Sequence, residues 1–182
     1  MNYSFILGQI LSALAVFFSI VAIFGKNKKN MVAIMLLSDS LYALAYLVLG
    51  GYSGFTSAAV LIIRHILDLK GKLNKYNTSA ICVVIIFLGI LFNENSYLGI
   101  LPITASVSFV ILAYLVKSAQ NIRIAIILGF SQWAIFDFYI KAYPLFAMDV
   151  ITFLTSIFAY IKNINKSEEV LNEVYAINTP RP

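Results

Sequence analysis

Chemically reactive side chains are scarce in this chain. Its 182 residues include one cysteine, one histidine and four prolines, and only 12% are Asp, Glu, Lys or Arg. The lone Cys82 permits no intrachain disulfide and, lying inside an apolar run, reads as a small packing residue. One His and one Cys provide no metal-ligand spacing, and no glycine-rich phosphate loop or nucleophile and base pairing is present. No catalytic residue, metal ligand or cofactor is therefore expected, nor an enzyme. Soluble domains carry about 25% charged residues, and the shortfall here excludes that class. The first apolar run has no basic residue ahead of it and is long enough to span, so it reads as a retained helix rather than a cleaved signal.

What the chain has instead is apolar length. Hydrophobic residues make up 61%, and the mean hydropathy is +0.90. A helix crosses the hydrocarbon core with about 17–25 mostly apolar residues, whereas a barrel strand alternates apolar and polar positions. The runs are continuous, which predicts an all-α integral membrane protein. Seven spans are expected, over residues 5–24, 31–49, 55–69, 79–92, 98–116, 122–142 and 145–161, with six as the alternative because the third and fourth are short.

The net charge of +5 would suggest nucleic acid as a partner of a soluble protein, but the basic residues lie in short loops between apolar runs. With the N-terminus outside, the inner loops hold Lys26, Lys28, Lys29, Lys70, Lys72, Lys75, Lys117 and Arg123, and the inner tail holds Lys162, Lys166 and Arg181. Only Lys141 falls outside, and Arg64 lies within a span. This is the asymmetry of the positive-inside rule, and it predicts an outer N-terminus and a cytoplasmic C-terminus. The bilayer is the expected partner and nucleic acid is not; a homo-oligomer stays open.

Residues 7–66 also return, ungapped, about ninety residues later as residues 98–157. Gly8 meets Gly99, Asn30 meets Asn121, Ser40 meets Ser131 and Tyr52 meets Tyr143. Matches at Gly, Asn and Tyr are not explained by apolar composition alone. The repeat predicts two three-helix bundles, residues 1–76 and 97–163, joined by a linker span in residues 77–96 and followed by a frayed tail, residues 164–182. An odd number of intervening crossings leaves both bundles the same way up. Such parallel repeats hold a substrate site near the midplane at their interface.

Ionisable groups inside a span cost about 2.5–3.5 kcal/mol on insertion scales and call for a partner or a function. Asp39 in the second span and Arg64 in the third fit an ion pair closing the first bundle, or a solute or proton site. Asp137 and Lys141 stand four apart in the favoured acid-first order for a helical ion pair. Asp149 lies near the same outer mouth, where two carboxylates would bind a cation, relay protons or simply be hydrated. Trp133 and Gln132 sit at midspan rather than at the interface where Trp anchors, and Tyr42 is the residue aligned with Trp133. Tyr42, Gln132, Trp133 and Asp39 are the candidate pocket, with ordinary core packing as the competing reading of Trp133 and Gln132, and with Gln9 and Pro102 as further lining. Small residues such as Ser12, Ala15, Ser57, Ala58, Ala105 and Ser106 read as sites of close helix approach.

The run Gly50-Gly-Tyr-Ser-Gly-Phe-Thr-Ser-Ala with Arg64 in the following span, and Trp133-Ala-Ile-Phe-Asp-Phe-Tyr with Asp149 downstream, resemble stretches of the YgjV-type bacterial inner membrane protein family. That resemblance runs to about Lys166, implies the bacterial inner membrane and supplies no activity. The three-one-three layout is similar to that of the SWEET sugar facilitators and PQ-loop proteins, which implies alternating access around a midplane site. The SWEET pattern carries Asn on the third helix of each bundle, and neither residues 55–69 nor 145–161 contain one. The leading expectation is a carrier for a small neutral or cationic solute. The alternative is a non-transporting scaffold or receptor that binds a lipid or a partner protein.

Overall fold

Continuous apolar runs leave backbone groups no solvent to bond, and helices satisfy them within each run. The computed structural model of the chain describes residues 3–23, 28–93, 97–115 and 119–178. Among these are seven α-helices and no strand: α1 (Tyr3–Ile23), α2 (Lys28–Leu49), α3 (Tyr52–Leu69), α4 (Lys75–Leu91), α5 (Ile100–Leu115), α6 (Ala119–Tyr139) and α7 (Tyr143–Asn178), with one turn of 3-10 helix, Tyr97–Gly99, leading into α5. Three windows are long and apolar enough to cross a membrane, Tyr3–Ala22, Val32–Leu49 and Tyr143–Lys162. Shorter apolar stretches occupy α4, Tyr97–Leu112 and Ile126–Tyr139. Lys26, Lys117 and Arg181, part of the charge asymmetry, lie outside the described residues.

Several helix ends differ from expectation for local reasons. α4 starts at Lys75 rather than residue 79, because the Asn74 side chain accepts from the Tyr76 and Asn77 amides, both at 3.0 Å, and caps the helix there. Pro102 falls in the first turn of α5. In that turn its missing N–H has no helical partner to lose. α7 runs on to Asn178 through the segment expected to fray. Continuing an existing helix needs no new nucleus, which is what makes short isolated helices marginal.

The turn after α2 and the turn after α6 have the same construction. Gly50 takes φ +83° and Lys141 takes φ +61°. In the first turn Gly51 N–H donates to the Tyr46 carbonyl at 2.8 Å, Gly50 N–H to Leu47 at 3.4 Å, and Phe55 N–H to Gly51 at 2.9 Å. In the second, Ala142 N–H donates to Asp137 at 2.8 Å, Lys141 N–H to Phe138 at 3.2 Å, and Phe146 N–H to Ala142 at 2.9 Å. Each donor and acceptor in one turn lies 91 residues from its counterpart in the other. Both are Schellman ends, in which one left-handed residue closes the orphan carbonyls of the helix.

α1 packs along α2 and α2 along α3; α5 packs along α6 and α6 along α7; α4 lies against α3 and α5. The backbones of the two groups come together from α1 to α7 and from α3 to α5. One buried cluster centres on Ala15, Ala43, Tyr46, Ala58, Phe136 and Leu145. A second joins Val60 of α3, Ile81 and Ile85 of α4, and Ile103 and Val110 of α5, with Cys82 packed at its edge. Buried side chains include Ser12, Ser38, Ser57, Ser106, Asp137 and Asp149, while Phe87 is 64% and Phe158 71% exposed. Small and polar groups inside with large apolar groups outside invert the soluble arrangement and suit a lipid surround.

Candidate functional site

Tyr46, one turn beyond Tyr42 on α2, is buried between α2 and α6. It stacks on Trp133 with centroids 5.5 Å apart and planes at 20°. Tyr42 stacks on Tyr46 as well, at 6.5 Å and 29°. Phe136 closes the group, tilted at 5.9 Å from Tyr46 and edge-on at 6.2 Å from Trp133. Offset-stacked and edge-to-face contacts of this kind add about 0.5–1.5 kcal/mol beyond area burial. α3 reaches the group because Gly54 has no Cβ: one built there would stand 2.7 Å from Phe136 Cε1 and 3.1 Å from Tyr46 Cγ. Any larger residue would push the ring or the helix aside.

Hydroxyl groups tie the group to α1. Ser38 Oγ donates to the Ala15 carbonyl at 2.8 Å, Ser19 and Ser38 hydroxyls share a bond at 2.7 Å, and Ser19 Oγ lies 3.4 Å from Tyr42 Oη. Side-chain hydroxyls bonded across helices hold such bundles together in lipid.

Two carboxyl groups lie beside Tyr46. Asp137 of α6 is completely buried, and neither of its oxygens has a hydrogen-bond partner. Tyr46 and Asp149 are its polar neighbours, and Asp149 of α7 is only 5% exposed. The expected pair of Asp137 with Lys141 does not form. α6 ends at Tyr139, so Lys141 stands in the left-handed turn, off the helical face that an i, i+4 pair requires. Lys141 contributes its backbone instead: the Gln9 amide donates to its carbonyl at 2.7 Å. Gln9 thereby clasps α1 to the turn between α6 and α7.

Asp39 takes a different partner from the one expected. Its Oδ2 lies 2.7 Å from His65 Nδ1, and both side chains are largely buried. Arg64, the adjacent residue, turns away by the 100° step of a helix and places its guanidinium 5.5 Å above the Phe109 ring of α5, a cation–π distance. Gln132 is held by the Leu128 carbonyl at 2.9 Å and by the Thr104 hydroxyl of α5. Of the four candidate pocket residues, Tyr42 and Trp133 are therefore brought together through Tyr46, whereas Gln132 and Asp39 bond to α5 and α3.

Tyr46 and Phe136 escaped the sequence reading. The signal for Tyr46 was available: it follows Tyr42 by one helical turn and is the residue aligned with Asp137 at the 91-residue offset. Phe136 carried none, since one Phe among 14 is marked only by what it touches.

The family model for Imp-YgjV, described as bacterial inner membrane protein, matches residues 6–167. The chain belongs to that family. No curated protein and no solved structure matches it. The YgjV match takes in the whole aromatic group, Asp39 with His65, and Asp137 with Asp149, and it ends within α7. The inner-membrane location of the YgjV family agrees with the apolar exterior described above.

Proposed function

We propose that this YgjV-family protein is a small-solute carrier in which two three-helix units, α1–α3 and α5–α7, rock about a site between α2 and α6, with α4 as the linker. All seven helices cross the bilayer on this reading, with the N-terminus outside and the C-terminus in the cytoplasm. The layout is SWEET-like and works by alternating access. Its internal symmetry is supported by the paired turns, and by the contacts between the units: the first helix of each packs on the third helix of the other.

The observation that carries the proposal is the aromatic stack of Tyr42, Tyr46 and Trp133, which bridges the middle helices of the two units next to two buried carboxyl groups. Aromatic faces take up planar or cationic solutes, and buried acids supply the charge that orients them. A small neutral or cationic solute fits this chemistry. The full chain reconstituted in liposomes is expected to show saturable uptake of at least one member of a panel of such solutes. Trp133→Ala should lower that uptake about tenfold or more while the protein stays folded by circular dichroism. A panel that gives neither uptake nor ligand-dependent thermal stabilisation would remove the carrier reading.

A second reading is favoured by the tight packing of Tyr46 and Phe136 and by the protein partners already held by Asp39 and Gln132. A closed interior suits a non-transporting scaffold or receptor that binds a lipid or a partner protein through its outer surface. That reading expects stabilisation by a specific lipid or partner without solute uptake.

A further inference from the structure

Among the described residues, the two carboxyl groups beside Tyr46 have no counter-charge. Around Asp137 and Asp149, α2 presents Tyr46 and Tyr42, and Asp39 lies further along the same helix. α3 carries Arg64, His65 and Asp68, but Arg64 stands over Phe109 and His65 is bonded to Asp39. The described parts of α1 and α5 contain no acidic or basic side chain. Lys141 is exposed in its turn. Ions in a low-dielectric interior need pairing, and adjacent carboxyl groups without a cation do not both stay ionised. Separately from this clustering, both Asp137 oxygens are sealed from solvent and neither makes a well-formed hydrogen bond, although the Tyr46 phenol lies close by. A buried acceptor left in that state signals a missing partner.

The ligand set decides which partner. Two carboxyl groups and one phenol converge here, and no group of three His, Cys, Asp or Glu side chains suited to a metal ion occurs among the described residues. Hard metal cations take about six or more oxygens, whereas a proton needs two and no added volume. We propose that Asp137 and Asp149 form a proton-binding site, with one proton held between the two carboxyl groups, and that its occupancy is coupled to solute passage at the Tyr46–Trp133 stack. The proton arrives from water and leaves to water; a carboxylic acid becomes a carboxylate, and no other bond changes. Tyr46 is the link, because it neighbours Asp137 and stacks on Trp133. When the proton leaves, two like charges face each other across α6 and α7 and push those helices apart. Proton binding stands on the geometry alone, and the coupling rests on the carrier reading.

Infrared difference spectroscopy on the full chain in lipid nanodiscs tests the site without any solute. At neutral pH the wild type should show the carbonyl stretch of a protonated carboxyl group, disappearing on alkaline titration. The band should be shifted or lost in Asp137→Asn and in Asp149→Asn, either of which suffices if the other fails to fold, and kept in Asp39→Asn. A wild type without the band, or a band unchanged in the folded Asn variants, overturns the site. In liposomes loaded with a pH-sensitive dye, uptake should carry protons inward, and Asp137→Asn should abolish that movement. Uptake without proton movement overturns the coupling alone. If no solute is taken up, the carrier reading falls and the coupling with it, while the proton site stands on the infrared result.

Discussion

Asp39 has both His65 and Arg64 as neighbours on α3, and they differ in what else each can do. The imidazole is short and lies on the α2-facing side, so its ring nitrogen reaches Oδ2 at 2.7 Å. The guanidinium is long, keeps its charge wherever it goes, and gains from lying flat on an aromatic ring. A double-mutant cycle separates the two: Asp39→Asn with His65→Ala should show a coupling of about 1 kcal/mol or more in unfolding free energy. Asp39→Asn with Arg64→Ala should be closer to additive. A larger coupling to Arg64 would reverse the assignment. At this scale the presence of a partnered acid was legible in the sequence. The identity of its partner was not, because adjacent helical residues point about 100° apart and only packing fixes which one faces α2.

The Schellman turns place one residue each in the left-handed region, glycine in the first and lysine in the second. A side chain there brings Cβ against the following carbonyl, at a cost of about 1–2 kcal/mol. Gly50 avoids that cost and Lys141 bears it. Lys141→Gly should therefore raise thermal stability, by up to about 1 kcal/mol, whereas Gly50→Ala should lower it by a similar amount. Unfolding in detergent, followed by circular dichroism, reads both. If Lys141→Gly destabilises, then the lysine side chain makes a contact that outweighs its backbone strain. A Gly-Gly pair at residues 50–51 is a plain turn signal in sequence. Lys141 gives no such signal, so hydropathy alone runs the sixth span on to residue 142 and sets Asp137 and Lys141 on one helix face.

For the molecule as a whole, the carrier proposal requires both three-helix units to enter the bilayer the same way up. Tyr52 and Tyr143 occupy matching positions just after the two turns, and both are about half exposed. In a Cys82→Ser background, Tyr52→Cys and Tyr143→Cys should each react with a membrane-impermeant thiol reagent from outside. Lys72→Cys should react only after permeabilisation. Labelling of Tyr52→Cys and Tyr143→Cys from opposite sides would mean that the units are inverted, and the shared midplane site would go with that result. The sequence by itself determined that this is a helical membrane protein and where its apolar runs lie, because hydrocarbon admits only backbone that bonds to itself and hydropathy records this residue by residue. Only the tertiary structure decided that Tyr46 joins Tyr42 to Trp133, that His65 takes Asp39, and that Asp137 meets Asp149. Those pairings depend on the rotation of each helix about its axis. That rotation follows from close contacts such as Gly54 against Phe136, between residues far apart in the chain.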